Sequence, residues 1–346
     1  MTPSTLVKQS AGTVALQAAS RGRAFRSTVA VTAAIAIVLG ALGLPAVVDA
    51  YTISIATTAL ILATLAMSTQ IVTGLAGLPS LGQAAYLGVG AYTAALLANT
   101  GLTLGPALLA AAAVAGAAAA AVTAPLVLRT RGTTFLMVTF AVGELARTAA
   151  SQAVTVTGGD DGIHVPPVTW WPGGAPLRAD GYLYLYVLGC FGVLAAAVAL
   201  LLRTRLALVL RGAADHEMRL GALGHRVGAA LTAGWVIAGA LAGAAGALFV
   251  AAHRYLSPAD LGLDASALAL LAAAIGLGSM RGAVAGAVLV VAARDLIGAE
   301  TGGHALAVLG LVFLLVAYRQ PVTRRLRSLV GHLEHRLAGI VAGGRR

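Results

Sequence analysis

Ten apolar runs alternate with short polar connectors along the 346-residue chain, at 28–48, 51–72, 81–99, 103–128, 133–150, 182–202, 228–252, 265–280, 283–299 and 303–318. A helix needs about 20 consecutive apolar residues to cross the hydrocarbon of a bilayer. Backbone amides find no water there, so a spanning run must bond its own backbone as a helix. The pattern predicts an all-α membrane protein, a polytopic bundle of about ten transmembrane helices. A basic segment, 1–27, leads into the first run, which has the length of a span and no convincing small-residue cleavage site after it, so an uncleaved first span is expected. The membrane domain is expected over 28–320. Beyond it, in a cytosolic tail at 321–346, Val322, Leu326, Leu329, Val330, Leu333, Leu337 and Ile340 recur at helical spacing among Arg324, Arg325, Arg327 and Arg336, which predicts a basic amphipathic helix on a membrane surface. His332 and His335 flank Glu334 there without the spacing of a metal-ligand set, and no metal site is expected.

Composition narrows the class. Hydrophobic residues make up 59% of the chain and charged residues 10%, against about 25% charged in soluble domains. The 43 glycines suit helices that approach closely in lipid. A net charge of +11 raises the question of nucleic acid, but the basic residues lie in short clusters beside apolar runs without interleaved aromatics, so membrane orientation accounts for them and no nucleic acid is expected. With the N-terminus inside, Lys8, Arg21, Arg23, Arg26, Arg129, Arg131, the arginines of 203–226, Arg281 and every arginine after 318 fall on the cytosolic side. Arg178 and Arg254 fall outside, and Arg147 and Arg294 within spans, which predicts that both termini are cytosolic. Five spans lie on each side of Arg178, which allows two inverted five-helix halves. Gly74 to Ala84 and Gly276 to Ala283 are a faint echo of such a repeat. Cys190 stands alone in an apolar run, so no disulfide is available.

Two connectors are long. The outer one, 151–181, holds Gly158-Gly159-Asp160-Asp161-Gly162, Pro166-Pro167 and Trp170-Trp171, turn formers and interfacial aromatics. It reads as an interfacial connector or a docking surface for an external partner. The inner one, 203–226, is RTRLALVLRGAADHEMRLGALGHR, of mixed charge. It is expected to lie along the membrane on Leu206, Leu208, Val209 and Leu210 and to turn Arg211, Asp215, Glu217 and Arg219 to a cytosolic partner.

The sequence carries no Gly-rich phosphate loop, nucleophile elbow or Cys/His cluster, so neither catalysis nor nucleotide hydrolysis is expected of this chain. Charges at bilayer depth are costly and normally paired or turned to a cavity. Glu144 and Arg147, three apart, share a helix face and are read as a structural ion pair or as part of a solute path. Arg294 and Asp295 point about 100° apart and need other partners. Gln83, Tyr86 and Tyr92 lie in a span with Gly82, Gly88 and Gly90, and this span is expected to line the path.

These residues carry a resemblance. The segment Gly74-Leu75-Ala76-Gly77-Leu78-Pro79-Ser80-Leu81-Gly82-Gln83-Ala84-Ala85-Tyr86-Leu87-Gly88-Val89-Gly90-Ala91-Tyr92 resembles the signature of the branched-chain amino acid ABC transporter permeases, most closely their LivM-type subunit. Leu128 to Gly132, Thr139 to Arg147, Thr157 to Ile163 and Gly276 to Gly282 resemble further family segments in the same order, so the similarity extends over residues 50–320. The resemblance implies a permease subunit of an importer in the bacterial plasma (inner) membrane. It implies a second permease subunit, homologous or identical, cytosolic ATP-binding subunits that hold the ATP and Mg, and an external solute-binding protein, with no cofactor bound by this chain. It also implies that Arg211 to Gly224 forms the coupling helix that docks on the ATPase, with Arg211, Asp215, Glu217, Arg219 and Gly224 as its residues, although Gly221 stands where the family commonly has Glu. The implied substrates are branched-chain or other hydrophobic amino acids, with urea or short amides as an alternative by the same mechanism. From the residues alone, a proton-coupled secondary transporter using Glu144 or Asp295, or a structural membrane protein, also stays open.

Overall fold

The computed structural model describes Gly43 and residues 48–300, apart from 172, 173, 175, 178, 179 and 277. The expected spans 28–48 (save Gly43 and Val48) and 303–318, the 1–27 segment and the tail after 320 lie outside the described residues. By its contacts the chain divides into Met1–Ile53 and Ser54–Arg346, and apart from the first turn of the first helix everything below belongs to the second unit.

The eight apolar runs within the described stretch each become a helix. They are α1 (Ala50–Gln70), which runs on through a π-turn at Ile71–Leu75, α2 (Gln83–Asn99), α3 (Gly105–Val127), α4 (Gly132–Gln152), α6 (Asp180–Leu201), α8 (Val227–His253), α9 (Leu263–Ile275) and α10 (Met280–Glu300). Two more helices lie in connectors: the single turn α5 (Val154–Thr157) and the polar α7 (Arg205–Ala222). Among the described residues, α1 with its π-turn, α3, Gly181–Leu201 of α6, α8 and Pro258–Ile275 are long and apolar enough to cross a membrane by length and composition. Hydroxyls inside these runs bond back to their own helix, Thr64 to the Leu60 carbonyl and Thr69 to that of Leu65, which keeps them satisfied away from water.

Helix α8 is apolar on all sides and largely buried, so it forms the centre of the bundle. Glycines bring α2 and α3 against it backbone to backbone. A Cβ on Gly90 would strike the Gly243 carbonyl, one on Gly116 the Gly239 carbonyl, and one on Gly246 the Leu87 carbonyl. The run expected at 265–280 is cut short. Helix α9 stops at Ile275, and α10 starts after a turn in which Gly278 takes φ +80 and the Gly282 N–H donates to Ser279 Oγ at 3.1 Å.

The connectors gather at two ends, as the alternation of spans requires. At one end lie 76–78, 128–132 and α7, with Ala214 against Gly77 and Arg131 on Glu217. At the other lie 99–105, 154–171 and 254–262. There β1 (Ile163–His164) pairs antiparallel with β2 (Tyr255–Leu256), the Gly105 N–H donates to the Thr169 carbonyl at 2.9 Å, and the Tyr255 hydroxyl donates to the Asp161 carbonyl at 2.9 Å. The 154–171 stretch is thus a built cap. Gly158, Gly159 and Gly162 all take positive φ, and the buried Thr157 hydroxyl accepts the Gly159 N–H.

Candidate functional site

The signature segment breaks a span instead of forming one. Helix α1 widens into the π-turn, where the Ala76 N–H reaches back five residues to the Ile71 carbonyl at 3.3 Å. Gly77 then takes φ +71 and turns the chain into the stretch Leu78 to Gly82, in which Leu78, Ser80 and Gly82 are buried and which leads to the start of α2. With 17 residues α2 is about 25 Å long, less than the roughly 30 Å of hydrocarbon, so its N-terminus begins inside the bundle.

A helix N-terminus buried there leaves donors that need acceptors. Three hydroxyls from three parts of the chain supply them. The Leu81 N–H donates to Thr139 Oγ1 at 3.1 Å, the Gly82 N–H to Ser80 Oγ at 3.2 Å, and the Ala84 N–H to Ser266 Oγ at 3.0 Å. Next to them the Ser68 hydroxyl lies 2.9 Å from Gln83 Oε1 and 2.7 Å from the Ala238 carbonyl, joining α1, α2 and α8. Gln70 and Gln83 are both 1% exposed. The Nε2 atoms of both, and the Tyr92 hydroxyl, find no hydrogen-bond partner among the described residues. Gly74 leaves room for the Gln70 amide, which a Cβ there would displace.

Several sequence candidates are packing residues in this geometry. Tyr86 is buried, its hydroxyl 2.6 Å from Thr123 Oγ1, and its ring meets the edge of Trp235 at 5.6 Å, with Phe135 on Trp235 at 5.7 Å. Gly82 lies against the Thr139 carbonyl, where a Cβ would come within 2.7 Å, while Gly88 makes room for Leu261 and Gly90 for Gly243. Glu144 and Arg147 form the expected pair on α4, with Arg147 Nε donating to Glu144 Oε2 at 2.9 Å, and both side chains are partly exposed. On α10, Arg294 is exposed and Asp295 half-buried.

Helix α7 lies at the arginine-rich end. The expected membrane-facing row is split by the 100° turn per residue. Leu210 is fully buried beneath Gly234 of α8, whereas Leu208 points outward. Arg211, Asp215 and Arg219 are exposed, as is Gly224 with φ +83 at the end of the segment. Glu217 keeps 40% of its side chain exposed, yet Arg131, just ahead of α4, holds it with Nε on Oε2 at 2.8 Å and Nη2 on Oε1 at 2.7 Å. These bonds hold the Glu217 carboxyl below its ordinary range and raise the Arg131 guanidinium. The helix kinks at His216 (φ −156, ψ 89), not at Gly221, and Leu220 folds back onto Gly212. Between α7, Arg131 and residues 76–78 lies a cleft of about 190 Å³.

Sequence reasoning missed Ser68, Thr139, Ser266 and Arg131 as site residues. A short hydroxyl in an apolar run has no periodic signal, and the partners are as much as 182 residues apart. The available hint was an arginine in the short α3–α4 connector, together with the mixed charge of the 203–226 connector.

The permease component of branched-chain amino acid transport systems has a family model that matches residues 51–317. The high-affinity branched-chain amino acid transport system permease protein LivM of Escherichia coli K12 is 29% identical over 324 residues, covering 84% of this chain and 75% of that protein. The protein of the same name from Salmonella typhimurium is 28% identical over 323 residues, covering 84% and 74%. No solved structure matches. A polytopic helical bundle, a span broken at the signature glycines and a family match over most of the chain lead to one conclusion: this is a multi-pass membrane protein that belongs to the family of branched-chain amino acid transport permease components.

Proposed function

We propose that this chain is one of the membrane subunits of an ATP-driven importer for branched-chain or other hydrophobic amino acids. The observation that carries the reading is the seat of α7 on the signature segment. Among the described residues, the markedly charged helix at the arginine-rich end touches the segment that breaks a span through Ala214 on Gly77, and the α3–α4 connector through Glu217 on Arg131. A subunit that closes on ATP can act on such a helix as a lever, while a second permease subunit, homologous or identical, completes the path and an external protein delivers the solute. The docking face would be the exposed Arg211, Asp215, Met218, Arg219 and Leu223. ATP and Mg belong to the partner subunits, and this chain binds no cofactor. The arginine distribution supports cytosolic termini, with 28–320 as the membrane domain between the cytosolic 1–27 and 321–346.

The test is affinity purification of the tagged chain from its native membrane in mild detergent, comparing wild type with Arg211→Glu/Arg219→Glu. ATP-binding subunits should come with the wild type and be lost from the variant. Vesicles containing the complex should take up leucine when ATP and the solute-binding protein are supplied, and urea or acetamide uptake instead would shift the substrate to small amides. A chain that comes out alone and moves solute, with uptake collapsed by an uncoupler and by Glu144→Gln, would replace this reading with a proton-coupled one.

A further inference from the structure

The loop Leu78 to Gly82, with Pro79 and Leu81 half-buried, is held from two sides. On one side Gly77 meets α7, where a Cβ would come within 3.0 Å of the Ala214 Cβ. On the other, the Leu81 N–H is bonded to Thr139 of α4. Helices α7 and α4 are themselves joined by the Arg131–Glu217 fork. The same guanidinium donates through Nη1 to the carbonyls of Leu128 and Thr130, so it binds the end of α3 and the start of α4 into one block. From Gly77 along the loop to Leu81, through Thr139 down α4 to Arg131, and across to Glu217 and Ala214, the contacts close a ring.

Both charged side chains are 40% exposed, and an exposed pair adds little stability. A two-point guanidinium–carboxylate fork does, however, fix orientation in a way a point charge does not. The kink at His216 falls between the two contacts of α7, so Ala214 and Glu217 sit on separate segments of the helix. Rotation of either segment therefore has to move the loop or break the fork.

We infer that Arg131 is a positioning residue for transport: with Glu217 and the Gly77–Ala214 contact it forms a strut that passes movement of α7 to the signature loop. The inference rests on the importer reading above. It extends that reading to a residue outside the docking face.

The experiment uses the whole complex in a Cys190→Ser background with Pro79→Cys as a reporter in the loop, labelled by a maleimide with and without ATP and vanadate. Arg131→Glu and Glu217→Arg are each expected to keep the ATP-binding subunits and ATP hydrolysis, yet to reduce the ATP-dependent change in labelling rate by roughly fivefold or more. Arg131→Glu/Glu217→Arg, which restores the pair in reverse, should recover the change. The strut is overturned if the single variants respond to ATP like the intact pair, if the reversed pair does no better than the singles, or if the singles lose the ATP-binding subunits, which would make the pair an assembly contact. The same holds if ATP does not alter labelling in the intact pair. A wild-type chain that purifies without ATP-binding subunits would instead remove the importer reading itself, and the strut with it.

Discussion

At Gly90 the place a Cβ would take is filled by the Gly243 carbonyl of α8. Gly90→Ala must push α2 and α8 apart, and overpacking of this kind costs about 1–3 kcal/mol. Thermal unfolding of the purified chain in detergent should show the loss, whereas the same change at Gly221, which has nothing within 4 Å, should not. Ser68 makes a second case. It donates to the Gln83 amide oxygen, and Gln83 is 1% exposed, so Ser68→Ala should cost about 1–3 kcal/mol by leaving that buried oxygen unbonded. Removing both groups, as in Ser68→Ala/Gln83→Leu, should be milder than the sum of the two single changes in denaturant unfolding. Equal or worse destabilisation in the double variant would show that Gln83 contributes through other neighbours. Of these residues, only the glycines and Gln83 stood out in the sequence. Ser68 did not, because one hydroxyl in an otherwise apolar run leaves no pattern.

Among the elements, the join between α7 and α4 has a measurable pH signature. Arg131 holds the Glu217 carboxyl below its ordinary range, so the stability from this pair is present above that range and lost as pH falls through the lowered value. The difference between wild type and Glu217→Gln should stay level from pH 7 to about 5 and shrink as pH drops below about 4, where an ordinary glutamate protonates. With both side chains 40% exposed it should be under about 1 kcal/mol throughout. A difference that grew toward acid would assign the opposite sign and refute the pairing. The hydrophobic runs located the spanning helices because a bilayer leaves a backbone few other forms. They did not reveal the π-turn, since Ile71 and Val72 continue the apolar run of α1, nor the break after Ile275, which turns on Gly278 and Ser279. The charged face of α7 could be read, but its attachment could not, because Glu217 finds its partner 86 residues back along the chain.

For the whole molecule, the arginine distribution sorted the connectors into two groups, and among the described residues two of one group, 128–132 and 203–226, meet through Arg131 and Glu217. A cysteine at Leu223 and one at Trp171, both exposed, should react with a membrane-impermeant maleimide from opposite faces in a Cys190→Ser background, Leu223 from the cytosolic face. Labelling of both from one face would break the alternation of spans. The glycine contacts among α2, α3 and α8 have a further consequence at this scale. Where backbones touch with no side chain between them, there is no seam wide enough for a leucine-sized solute to slip through. Among the described residues this trio is solid masonry, and nothing the size of leucine passes between its three helices.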